Sequence, residues 1–177
     1  MSAARDTFQR ALTISEVELG PDHPEVAQGL DNLGVLLRNL GELPAAGHAH
    51  QRALAIRQAQ LGPDHPEVAR SLDNLATVLH DLGELPDAHT ARQRALAIRQ
   101  TQLGPDHPDV AASLNNLGVL LLELGELPAA RAATERALAI FEARLSSDHP
   151  SVAMARANLN RIVAASTSSP DSQTTAQ

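Results

Sequence analysis

Shifting this chain by 42 residues lays it over itself. LGPDHPEVA at 19–27 falls on LGPDHPEVA at 61–69 and on LGPDHPDVA at 103–111, with SSDHPSVA at 146–153 as a weaker fourth copy. Residues 21–62 and 63–104 agree at about 30 of 42 positions, far more than shared helix propensity produces. A tandem array of this kind severely limits the possible folds. Each unit is too small to bury its apolar face alone, so the core must grow by stacking neighbours in one direction.

Two helices are legible in each unit. In DHPE, Asp22 is positioned to cap the first backbone N–H groups, Pro24 sits in the first turn where its missing donor does no harm, and Glu25 completes a capping box. Val26, Ala27, Leu30, Leu33, Leu36, Leu37 and Leu40 then fall on one broad face at 100° per residue, and Gly41 supplies a left-handed stop. This is helix A. Pro44 marks the first turn of helix B, whose stripe is Ala46, Ala49, Ala53, Leu54 and Ile56, running to Leu61 and Gly62. The link Gly41-Glu42-Leu43 is so short that the two helices must be antiparallel.

The predicted fold is therefore all-α, an α-solenoid of antiparallel hairpins occupying residues 1–165. It divides into a half repeat at 1–20 that matches only helix B, full repeats at 21–62, 63–104 and 105–146, and a capping A helix at 147–165. The polar stretch 166–177 is expected to be a disordered tail. Because the first helix lacks its partner, Phe8 and Leu12 should be partly uncovered, which favours a longer parent protein or else self-association at that edge.

Composition narrows the function. A formal charge of −7 with no run of basic residues argues against a phosphate-backbone partner, so no nucleic acid is expected. The absence of cysteine removes disulfides, thiolate chemistry and Cys-based zinc sites. Neither a signal peptide nor an apolar run long enough for a membrane span is present, so a cytoplasmic protein with no membrane partner is expected.

The pattern LGPDHPxVAxxLxNLxxxLxxLGELPxAxxxxxRALAI resembles the 42-residue tetratricopeptide repeats of kinesin light chains and their bacterial relatives. Leu33, Gly34, Leu37, Gly41, Ala46 and Ala53 fall on the family's signature positions. The chain departs from the family pattern in its aromatics: Leu30, Leu37 and Leu43 stand at aromatic positions, and His50, Arg92 and Thr134 replace the usual aromatic of helix B. The resemblance implies a right-handed superhelix whose concave groove is lined by A helices and holds a peptide. Bacterial arrays of this kind often serve as the sensor of larger signalling proteins, although this chain contains no GxxxxGK loop.

Candidate binding residues follow from the helix A geometry. Positions 28, 31, 35, 38 and 39 share a polar face opposite the Leu face, and the resemblance places that face in the groove. Across the repeats it carries Gln28, Asp31, Val35, Arg38 and Asn39, then Arg70, Asp73, Thr77, His80 and Asp81, then Ala112, Asn115, Val119, Leu122 and Glu123. Two mixed-charge repeats thus give way to a more apolar third, suited to an apolar peptide side chain. Asn32, Asn74, Asn116 and Asn158 recur at the border of groove and core. Such an amide either bonds a peptide backbone through its donor and acceptor or fixes the stacking of adjacent repeats.

No cofactor or metal is expected. His23, His65, His107 and His149 occur once per repeat, too far apart to share one ion, and structural capping is the better account of them. His48 and His50 point to different faces, and no HExxH occurs. No nucleophile stands beside a base, so a catalytic role is not expected. The reading is a protein- or peptide-binding scaffold acting through its groove. The alternative is a spacer or oligomerisation module that associates through its N-terminal edge.

Overall fold

The computed structural model describes residues 2–168. Among them are eight α-helices: α1 (Ser2–Leu19), α2 (Pro24–Asn39), α3 (Leu43–Leu61), α4 (Pro66–Asp81), α5 (Leu85–Leu103), α6 (Pro108–Glu123), α7 (Leu127–Arg144) and α8 (Pro150–Ser168). They alternate B, AB, AB, AB, A, an α-solenoid built on the 42-residue repeat. Helix α8 runs three residues past the expected boundary at 165, while the remainder of the expected tail, 169–177, lies outside the described residues.

Each A helix begins at a histidine. His23 Nδ1 accepts the Glu25 N–H at 3.2 Å, and His65, His107 and His149 accept the N–H two residues on at 3.1, 3.1 and 3.2 Å. The cap is thus His23 and not Asp22. In the extended conformation at φ −72°, ψ 144° the imidazole of residue 23 reaches the free donors of the first turn, which lie beyond the preceding residue's carboxylate. At the other end Leu40 is the C-cap and Gly41 adopts φ +79°, a conformation only glycine takes cheaply, so the chain reverses into α3 within three residues.

The chain forms two compact units, one ending at Ile98 and the other beginning at Arg99. In the first, α2 packs on α1 and α3, and α3 packs on α4. One core cluster joins Val26, Ala27, Leu30, Ala49, Ala53 and Ile56 to Leu12, a second joins Leu33, Leu37, Ala46 and Val78, and a third joins Val68, Ala69, Leu72 and Ala76 to Ala91, Ala95 and Ile98. In the second unit α6 packs on α7, and α8 covers both. Its core holds Val110, Ala111, Leu114, Leu117, Leu120, Leu121, Ala130, Ala137, Ile140 and Phe141, closed by Val152, Ala155 and Ile162. Burial keeps the sequence period, since Val26, Val68, Val110 and Val152 are all fully buried.

Candidate functional site

The polar face of the A helices is built from side chains spaced by about a turn, so it can be followed helix by helix. In the first unit it is tied together from repeat to repeat. Gln28 Nε2 donates to Asn32 Oδ1 at 3.1 Å within α2, while Gln28 Oε1 accepts from Arg70 of α4 at 3.0 Å. Arg70 also donates to Glu67 at 2.5 Å, and Arg38 of α2 donates to Asp81 of α4 at 2.5 Å. The Arg38 hydrogen bond holds the Asp81 carboxyl below its ordinary range despite some desolvation. Asn32 is exposed, Asp73, Asn74, Thr77 and His80 are half-buried, and Val35 stands 47% exposed among them.

Asp31 does not belong to this face. It is 2% exposed and its carboxylate is enclosed by α3: His50 Nδ1 lies 2.9 Å from Oδ1, and Arg57 Nη1 donates to Oδ2 at 2.5 Å. Arg57 in turn donates to the buried Ser71 hydroxyl of α4 at 2.5 Å, and its Nε lies 3.5 Å from Glu67. Burial by itself would raise the Asp31 pKa. The His50 hydrogen bond, the Arg57 charge and the Arg57 hydrogen bond together outweigh it and hold the group below 3.8. The expectation that Asp31 meets a ligand is therefore corrected. Residue 31 lies at the edge of the polar face nearest α3, and Gly34 one turn on has no side chain, so the His50 ring fills that space. The available sequence signal was the pair His50 and Arg57, seven residues apart and so on one face of α3, opposite a single acidic position.

In the second unit the face is different in kind. Asn115 is 1% exposed and accepts a hydrogen bond from Asn158 of α8 at 3.1 Å, so it too is removed from the candidate contact set by burial. Of the border asparagines, Asn158 makes this bond between helices, whereas Asn32 bonds to Gln28 within α2. Asn116 is exposed, Val119 and Leu122 are half-buried, and on α8 Met154 is 48% exposed. Arg161 reaches Asn158 only at 3.5 Å. Of the predicted contact residues, Asn32, Asn74, Asn116, Asp73, Arg38, Arg70, His80, Val119 and Leu122 thus remain at least partly accessible.

Helix hairpins capped, turned and stacked in this way define a class of interaction repeat. Tetratricopeptide repeat family models match residues 25–101, 74–143 and 2–25, and the chain belongs to the tetratricopeptide repeat family. Its structural relatives include repeat proteins of the kinesin light chain type. BtubC (BKLC) from P. vanneervenii aligns at TM-score 0.84 and 25% identity over 94% of this chain, which spans 66% of that protein. A kinesin light chain-type protein of Podosopora anserina with nearly identical TPR-like repeats aligns at TM-score 0.83 and 23% identity, covering 97% of this chain and 82% of its own. The first TPR of Spaghetti, solved with an HSP90 peptide bound, aligns at TM-score 0.60 and 18% identity over 82% of this chain and 97% of its own. Among characterised proteins no sequence relative is found. No described helix is long and apolar enough to cross a membrane.

Proposed function

We propose that this chain is a non-catalytic, cytoplasmic scaffold that binds a peptide or protein segment on the groove face of its A helices. The observation that carries this reading is where repeat symmetry fails. Caps, turns and the aliphatic core positions recur every 42 residues, whereas the accessible A-face positions change: Gln28, Arg70 and Ala112; Val35, Thr77 and Val119; Arg38, His80 and Leu122. Between the first and third copies this face moves from paired charges to aliphatic side chains while caps, glycine stops and aliphatic core positions are kept, a change that suits a face meeting an apolar partner. Tetratricopeptide repeats generally mediate protein–protein interaction, and one structural neighbour holds a peptide. A displayed peptide library selected on the intact chain should enrich sequences with an apolar anchor, and Val119→Asp with Leu122→Asp should abolish their capture at unchanged thermal stability. If captured peptides are indifferent to these changes and to Asn32→Ala and Asn74→Ala, the A face is not the site.

A second reading, an architectural module that associates through its first helix, draws on a different observation. Phe8, Ile14, Val17 and Leu19 of α1 are 40%, 56%, 80% and 43% exposed, the densest group of exposed large apolar residues in the described chain.

A further inference from the structure

The buried acceptor of an A helix can be satisfied from two directions, and the two units use different ones. In the first unit both carboxylate oxygens of Asp31 are met by the B helix of the same hairpin: His50 Nδ1 lies 2.9 Å from Oδ1, and Arg57 Nη1 donates to Oδ2 at 2.5 Å. In the second unit the B-helix residues at those two places are Thr134 and Phe141. The Thr134 hydroxyl donates to the Ala130 carbonyl at 2.9 Å and the phenyl ring has no donor, so neither serves the buried Asn115 Oδ1. Its hydrogen bond comes instead from the next A helix, from Asn158 Nδ2 at 3.1 Å. A buried acceptor needs a donor, and where the partner B helix offers none the border amide of the following repeat supplies it.

Asn158 follows Asn115 by 43 residues, and at the same interval after Asp31 stands Asn74. Its side chain is half-buried and has no hydrogen-bond partner among the described residues. A missing neighbour is not the reason, because α2 packs on α4 as α6 packs on α8. The two amides differ in whether the preceding A helix still needs their donor.

We infer that the Asp31, His50 and Arg57 core selects which border asparagine serves the bound segment: it satisfies its own acceptor and so releases the Asn74 amide, whereas the neutral core of the third repeat consumes that of Asn158. The inference rests on the groove reading and gives it a specific contact. Asn74 meets the backbone of an extended segment, its Nδ2 donating to a carbonyl and its Oδ1 accepting an N–H. Asp31, His50 and Arg57 are positioning residues that act on the segment only through Asn74. Charge is not what this place reads, since Arg70 is already paired with Glu67 at 2.5 Å and Arg38 with Asp81 at 2.5 Å.

The first arm of the test needs no ligand. By NMR on the wild-type chain, the Nδ2 protons of Asn158 should exchange with solvent at least tenfold more slowly than those of Asn74. Asp31→Asn with His50→Thr and Arg57→Phe, which copies the third repeat, should slow the Asn74 protons at least tenfold. The second arm uses a synthesised peptide taken from the displayed library. Asn74→Ala should raise its Kd at least tenfold at an unchanged thermal midpoint, Asn158→Ala should lower the midpoint and leave Kd within twofold, and the triple variant should raise Kd as Asn74→Ala does. One backbone ester in the peptide, with oxygen in place of an N–H, should weaken binding to the wild type and cost nothing further in Asn74→Ala. Equal exchange at Asn74 and Asn158 in the wild type overturns the selection, whether or not the triple variant folds, and so does a folded triple variant whose Asn74 protons stay fast. Capture that is lost with Val119→Asp and Leu122→Asp but indifferent to Asn74→Ala overturns the role of Asn74 and leaves the groove reading standing. Ester effects that persist in Asn74→Ala at every position overturn the backbone contact, and no capture at all overturns both the inference and the groove reading.

Discussion

The first repeat and the third solve the same packing problem with opposite chemistry. Around the small residue of helix A, the first repeat sets Asp31, His50, Arg57 and Ser71, an ion network with every member at most 4% exposed. The third sets Asn115, Thr134, Phe141 and Ala155 at the equivalent positions, all buried and none charged. Thr134 satisfies its hydroxyl on the Ala130 carbonyl at 2.9 Å, and Asn115 is bonded by Asn158. One backbone therefore accepts a charged or a neutral core. The difference lies in what happens when a partner is lost: a buried ion left alone is far more costly than a neutral amide left alone.

The largest expected effect breaks the charged side of the comparison. Asp31→Ala strands His50 and Arg57 in the core and should cost about 3–5 kcal/mol, read as a lowered denaturation midpoint with the loss of protection concentrated in the amides of α2 and α3. Next comes the close approach in the neutral repeat. Gly118→Ala should cost about 1–3 kcal/mol, because the new methyl meets Thr134 and also the Ala130 carbonyl at 3.1 Å, and Thr134→Ala should recover part of it. Asn115→Ala should cost about 1–2 kcal/mol, well below Asp31→Ala; equal costs at the two sites would mean that charge makes no difference to breaking either core.

Acid should separate the two cores further. The Asp31 pKa is lowered by folding, so its contribution is fully present above the ordinary value of 3.8 and is lost as pH falls through the lower folded value. Amide exchange followed from pH 6 downward should show α2 and α3 losing protection in that window, and Asp31→Asn should remove this part of the pH dependence. The third repeat has no titrating group at the equivalent site. The smallest effect lies on the surface: Arg38→Met breaks an exposed pair with Asp81 and should change stability by no more than about 0.5 kcal/mol.

The repeat made much of the fold legible. Helix limits, the Gly41 reversal and the buried Val and Ala positions follow from local rules that apply afresh in every copy. The candidate site was less legible, because exposure at the edge of a helix face depends on what the neighbouring helix presents. Asp31 and Asn115 read as polar-face residues by angle, yet α3 and α8 reach over and bury them. Asn32 and Asn116, next to them in sequence, stay exposed.

The sequence by itself determined the period, the order of helices, the glycine stops and the family, since each depends on backbone preferences and apolar spacing within a few turns. Only the tertiary structure decided that the histidine ring and not the aspartate carboxylate takes the first-turn N–H of each A helix, that Asp31 is enclosed by the His50 ring and the Arg57 guanidinium, and that Asn115 is buried and bonded by Asn158. Those outcomes turn on ångström-scale distances between side chains far apart in the chain, and periodicity carries no information at that scale.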